Sequence, residues 1–186
     1  MNEEIIFSGF GGQGALFAGQ LLAYSALDSG LHVTWIPSYG PEMRGGTAHC
    51  TVVVSDEPIG SPLVRNPRAA VALNLPSFEK YESVIKPGGL LVYNVSLAPV
   101  QPVRSDIQYM AVPANDIAER LGNVRMANVV LLGAYLSVTG YLTLETVETA
   151  LDLHLGQRQR KYLAANKQAL REGAEFAREA LEKVTA

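Results

Sequence analysis

Apolar positions along the chain change their period several times, and the changes mark out its elements. Ile5 to Ser8 is a short, mostly apolar run that ends at Gly9. From Gln13 to Ser29 the small and apolar residues Ala15, Ala18, Gly19, Leu22 and Ala26 recur at helical intervals. Gly30 stops that helix, and LHVTWI (31–36) follows as a second strand, so the chain opens with a strand–helix–strand unit. The next ten residues, PSYGPEMRGG (37–46), carry glycines and prolines that break both periodicities. After this loop TAHCTVVVS alternates, with Thr47, His49, Thr51 and Val53 on one face and Ala48, Cys50, Val52 and Val54 on the other.

Further strands are predicted over Ala69–Asn74, Leu90–Asn94 and Ile107–Val112. Pro76 suits the first turn of a helix, KPGG (86–89) makes a turn, and Asp116–Leu121 makes a short helix ended by Gly122. From Met126 onward the pattern is helical. Asn128–Thr139 is nearly all apolar and reads as buried, whereas Tyr162–Val184 is amphipathic, with Arg171, Glu175, Arg178 and Glu182 on a solvated side. Strands and helices that alternate argue a three-layer α/β/α sandwich with a mostly parallel or mixed sheet, whose first strand–helix–strand unit is Rossmann-like. We read residues 1–186 as one domain, a sheet portion to about 125 and a helical portion from about 126.

Composition narrows the function. With 186 residues, 48% of them hydrophobic, the chain can bury a sizeable core. A net charge of −3 supplies no basic face for nucleic acid. The acidic start MNEEIIF lacks the positive charge of a signal peptide, and the apolar run 128–142 is shorter than the ~20 residues that cross a bilayer, so a cytoplasmic protein off the membrane is expected. The single cysteine, Cys50, can form neither an internal disulfide nor the thiolate set of an iron–sulfur cluster.

Gly9, Gly11 and Gly14 match G-x-G-x-x-G. At a strand-to-helix turn these glycines allow a tight bend, a close approach of backbone to a ligand, and close helix packing. The N–H groups of Gln13, Gly14 and Ala15 would then face an anion at the positive end of the helix. A dinucleotide site also needs an acid at the end of the second strand for the ribose hydroxyls. Here that strand ends WIPSYG, and the first acid beyond it is Glu42, inside the loop and followed by Arg44. The stretch GGQGALF also lacks the lysine and hydroxyl of a P-loop. Glycines at such a turn are equally what close packing alone selects.

The loop after the second strand and the turn after the first should share the carboxyl edge of the sheet, where ligands bind in open α/β folds. The candidate ligand-binding residues are therefore Gly9, Gly11, Gly12, Gln13 and Gly14 of the turn with Tyr39, Glu42, Arg44, Gly45 and Gly46 of the loop. Arg44 leads, because a guanidinium beside glycines can grip a phosphate or carboxylate with two parallel hydrogen bonds. An ion pair with Glu42 explains Arg44 as well. Asn128 reads as a helix-end residue able to cap or orient a neighbour, His49 has no second ligand at metal spacing, and Cys50 reads as a small buried hydrophobe.

Taken together, GFGGQG, PSYGPEMRGGTAHCTVVVSDEPIGSP, IKPGG and GNVRMANVVLLGA resemble the gamma subunit of 2-oxoacid:ferredoxin oxidoreductases, over residues 5 to about 142. The form MRGGTA is closer to the 2-oxoglutarate and branched-chain 2-oxoacid members than to the pyruvate members. The resemblance implies oxidative decarboxylation of a 2-oxoacid with coenzyme A to acyl-CoA and CO2, electrons passing to ferredoxin. It implies that thiamine diphosphate, Mg and iron–sulfur clusters belong to alpha, beta and ferredoxin-like delta partner subunits. No cofactor would be held by this chain alone and no catalytic or metal-ligating residue is expected on it, while its edge loops would line the coenzyme A pocket or a subunit interface. Without partners the chain could self-associate as a homodimer. Two rival readings remain, a self-contained NAD(P)-binding reductase and a purely structural assembly subunit.

Overall fold

Residues 2–40 and 46–185 are described by the computed structural model. Six strands, β1 (Asn2–Phe10), β2 (His32–Tyr39), β3 (Thr47–Ser55), β4 (Ala69–Ala72), β5 (Leu90–Asn94) and β6 (Gln108–Val112), form one mixed sheet in the order β2-β3-β1-β4-β5-β6. β4, β5 and β6 continue parallel from β1, whereas β3 runs antiparallel to both β1 and β2. β2 is therefore parallel to β1, as a strand–helix–strand unit requires, but β3 stands between them. The hydrophobic pattern shows that β3 is a strand and cannot show where it inserts. Its position follows from pairing, Gly9 and Tyr39 both lying opposite Ala48.

Helices α1 (Ala15–Asp28), α3 (Ala114–Arg120), α4 (Ala127–Thr139), α5 (Leu144–His154) and α6 (Leu163–Thr185) form one layer, and α2 (Leu75–Glu82) belongs to the other. Alternation along β1 divides the core accordingly. Ile5 and Phe7 join the cluster with α1 and α4, while Ile6 joins Phe78 and Tyr81 of α2. Burying a side chain such as Phe7 or Leu22 contributes roughly 2 kcal/mol. The apolar run read as a buried helix is α4, in which every residue from Ala127 to Leu136 is buried.

α4 and α6 cross with their backbones in contact. A Cβ on Gly133 would lie 2.0 Å from the Leu170 carbonyl oxygen, and one on Gly173 would lie 1.9 Å from that of Val130. Only a missing side chain on each helix permits this approach. Arg104 fastens the segment between β5 and β6 to the end of α2, where its Nη1 donates to the carbonyls of Glu82 and Ile85 at 2.7 and 2.9 Å. Those carbonyls lie past the last intrahelical donors, so a cation there meets both their hydrogen-bonding need and the helix dipole.

Candidate functional site

The carboxyl ends of β1 and β4 meet where α1 leaves toward one face of the sheet and α2 toward the other. In open α/β sheets this divergence makes the ligand crevice. Here it is bridged by side chains. Gln13 Oε1 accepts from the Phe10 N–H at 2.7 Å and from Asn74 Nδ2 at 2.8 Å. Asn74 is also the N-cap of α2, its side-chain oxygen taking the Ser77 N–H at 3.0 Å, and Pro76 sits in the first turn as the sequence predicts. A β-carbon on Gly9 would lie 2.8 Å from that same Gln13 oxygen, so the absence of a side chain at Gly9 makes room for the bridge.

The amide series continues along the edge. Asn94, ending β5, donates to Asn115 Oδ1 at 2.8 Å and to the Leu73 carbonyl at 3.3 Å, and accepts the Ala114 N–H at 3.2 Å. On the other side Asn128 Nδ2 donates to the Gly14 carbonyl at 2.9 Å, the same oxygen that takes the first helical N–H, from Ala18, at 3.0 Å. Asn74, Asn94 and Asn128 are buried. None of these partners ionises, so this network of amides keeps its hydrogen bonds as pH changes.

The glycines differ in what they do. Gly12 and Gly14 have φ of 102° and 82°, a left-handed backbone that L side chains rarely adopt. Gly14 is the N-cap of α1, and a Cβ there would lie 2.3 Å from Asn128 Nδ2, so it makes room for Asn128. Close packing of α1 on the sheet belongs instead to Gly19, whose Cβ would lie 2.3 Å from Cys50 Sγ. The expected fan of free N–H groups is also narrower. Gln13 N–H bonds the Phe10 carbonyl at 3.0 Å and Gly11 N–H bonds the Gly46 carbonyl at 2.8 Å. Among the described residues no acceptor takes the N–H of Gly12, Gly14 or Ala15. Helices α1, α2 and α4 carry no acid in their first turns, so their positive ends at this edge are uncompensated from within those turns.

The bond between Gly11 and Gly46 ties the loop after β2 to the glycine turn, so the two candidate segments adjoin as expected. Tyr39 stands at the rim, 55% exposed. Glu42, Arg44 and Gly45 lie outside the described residues. Asn128, expected to be a helix-end residue able to cap or orient a neighbour, holds the Gly14 carbonyl, whereas Asn74 and Asn94 were not among the expected site residues. Asparagine directly after an apolar strand, as in VALNLP and LVYNVS, is the signal that could have found Asn74 and Asn94.

Other reactive side chains lie apart from this chemistry. Burial pushes the Cys50 thiol up to about 12, which keeps it a protonated hydrophobe. Burial, and then the Lys80 ammonium, hold the His49 imidazole below its ordinary value. Among the described residues no three His, Cys, Asp or Glu side chains could hold a metal ion, and no helix is long and apolar enough to cross a membrane. A cavity of about 470 Å3 opens at the amino edge, past Asn2 and Ser55, where Glu4, Asp56 and Glu57 line it with acid. An acidic cavity disfavours an anionic substrate.

The chain is similar to known proteins over nearly its whole length. Ketoisovalerate oxidoreductase subunit VorA of Methanothermobacter thermautotrophicus is 41% identical over 181 residues, 96% of this chain and 37% of that protein. This chain thus spans little more than a third of that relative. The 2-oxoglutarate synthase subunit KorC of Methanocaldococcus jannaschii is 36% identical over 172 residues, covering 90% of this chain and 92% of the relative. Among solved structures, the gamma subunit of a keto/oxoacid ferredoxin oxidoreductase from Geobacter sulfurreducens superposes with a TM-score of 0.79 at 31% identity, over 94% of this chain and 98% of that one. The family model for pyruvate ferredoxin/flavodoxin oxidoreductase matches residues 4–176, and with these relatives it places the chain in the pyruvate ferredoxin/flavodoxin oxidoreductase family.

Proposed function

We propose that this chain is the non-autonomous gamma subunit of a 2-oxoacid:ferredoxin oxidoreductase, one wall of a site that other subunits complete. The observation that carries the reading is the carboxyl edge itself. Its glycine turn and its loop are clamped together through Gly11 and Gly46, and its crevice is closed by the Gln13–Asn74 bridge. An edge made of amides and backbone donors can shape and neutralise a neighbouring anionic site without supplying a nucleophile or a general base. The names of the relatives support a 2-oxoacid substrate of the 2-oxoglutarate or branched-chain kind. Thiamine diphosphate, Mg and the iron–sulfur clusters sit on the alpha, beta and delta-type partners, and electrons leave to ferredoxin. Tyr39, Glu42, Arg44, Gly45 and Gly46 line the contact with coenzyme A or with the partner at the thiamine site, Arg44 supplying the positive charge, in a cytoplasmic complex.

Purification of the tagged chain from its native source tests this. Thiamine- and iron–sulfur-bearing partners should co-elute, with coenzyme A-dependent oxidation of a 2-oxoacid. A chain that elutes without them, or that turns over a substrate alone, overturns the reading. Within that complex Arg44→Ala should raise the KM for coenzyme A or lower turnover, and an unchanged enzyme would remove Arg44 from the site.

A further inference from the structure

Helices α1 and α5 leave a cavity of about 140 Å3 between them, closed off by the short helix Gln157–Tyr162. While α1 buries Ala18, Leu22 and Ala26 completely, Phe17, Leu21 and Tyr24 recur at helical spacing on its other flank and line the cavity. Leu151 and Leu155 extend this apolar lining. At one end Tyr24 stacks on the His154 ring, centroids 4.1 Å apart and 6° from parallel, and His154 Nε2 lies 2.8 Å from Asp28 Oδ2, which fixes that wall. Two amides stand at the rim. Gln20 Nε2 donates to the Tyr24 hydroxyl at 3.5 Å, and the Gln159 side chain has no hydrogen-bond partner among the described residues. An apolar cavity of roughly 150 Å3 admits a benzene-sized group. This one therefore suits a single side chain such as leucine or phenylalanine, and is too small for a whole cofactor.

The surface around the cavity is apolar and basic. Leu27 and Leu153, next to the Asp28–His154 pair, are 58% and 64% exposed, and Tyr162 is exposed as well. Gln159 is flanked by Arg158, Arg160 and Lys161, all exposed. Residues three apart in a 3-10 helix share one side, so Arg158 and Lys161 stand together. None of the three cations has a carboxylate partner among the described residues. The cations that follow do, since Lys167, Arg171 and Arg178 pair with Asp152, Glu148 and Glu175. In a chain of net charge −3, three neighbouring cations without counter-charges call for acids from outside. Exposed leucines, tyrosine and arginine around a pocket of one side chain's size match the centre of a protein interface.

We propose that this cavity is the anchor site for a companion polypeptide of the oxidoreductase, which lodges one apolar side chain between α1 and α5 and carries carboxylates that meet Arg158 and Lys161. This rests on the subunit reading above and adds which surface makes the contact. The rim amides of Gln20 and Gln159 can bond the polar backbone of the segment that bears the anchor. A flat anionic lipid surface would meet the cations and leave the cavity unfilled.

Co-expression of the chain with its companion subunits tests the anchor site. Gln20→Trp, which puts an indole at the cavity, and separately the double variant Arg158→Glu with Lys161→Glu should each lower the amount of companion subunit that co-elutes by about tenfold or more. Arg65→Glu, the same charge change at an exposed residue of the segment after β3, should leave that amount unchanged, and circular dichroism should show each purified variant folded. Either folded variant that retains its companions at the wild-type level overturns the proposal, and so does an equal loss from Arg65→Glu. Companions retained while Gln20→Trp splits an isolated dimer, or while the double variant releases phosphatidylserine vesicles, overturn it in favour of a second copy or a lipid surface. A wild-type chain that binds no companion overturns the subunit reading and the anchor site with it.

Discussion

Gly14 shows how little of a glycine motif need concern a ligand. Its left-handed backbone and the place of Asn128 beside it are both met by packing, and Gly9 likewise makes room for Gln13. What remains toward the outside is a short set of N–H groups beside the loop. His49 lends itself to a test at the same scale. Burial lowers its affinity for a proton in the fold, with Lys80 adding to the effect, and the ring of Tyr81 lies 6.1 Å away. A histidine with a depressed folded value contributes stability above its unfolded value of 6.5, and loses it as pH falls through the lower folded value. The melting temperature should therefore fall as pH drops below 6.5, and His49→Gln should flatten that part of the profile. An equal fall in the variant would place the acid sensitivity elsewhere.

Helix α4 illustrates what element-level patterning can and cannot convey. An almost wholly apolar helix must be buried, and this one is. That its backbone meets α6 at Gly133 and Gly173 is not written in any periodicity, because a glycine in an apolar run reads as a neutral gap. Gly133→Ala would place a methyl against a carbonyl oxygen that no rotamer change can move. The expected cost is at least about 3 kcal/mol, a fall of roughly 6–12 °C in melting temperature for a domain of this size. Gly156→Ala, where a Cβ would meet only the Gln159 side-chain oxygen, at 3.9 Å, is the matched control and should stay near wild type.

The whole molecule decides the nucleotide question. Three glycines at a strand-to-helix turn made a dinucleotide site conceivable, and the missing acid after WIPSYG argued against it. The sheet adds two physical obstacles. β3 separates the ends of β1 and β2 that would share the cofactor, and Gln13 with Asn74 fills the crevice between β1 and β4. Titrating the isolated chain with NADH should give no change in cofactor fluorescence and no shift in melting temperature. Stabilisation that grows with NADH concentration would revive the reductase reading.

Legible in the sequence were the α/β class, the buried α4, the amphipathic α6, Pro76 at a helix start, and the neighbourhood of two irregular loops on one edge. Each depends on local periodicity or on backbone chemistry that a few adjacent residues impose. The insertion of β3, the crossing at Gly133 and Gly173, and the amide series Gln13–Asn74, Asn94–Asn115 and Asn128–Gly14 came only with the tertiary structure. These are pairings between residues far apart in the chain, and a hydrogen bond or a backbone contact across such a gap leaves no trace in the order of side chains. Which face of β2 and β3 packs against α1 was decided the same way, because alternation sorts residues into two faces but only the fold says which of them the core takes.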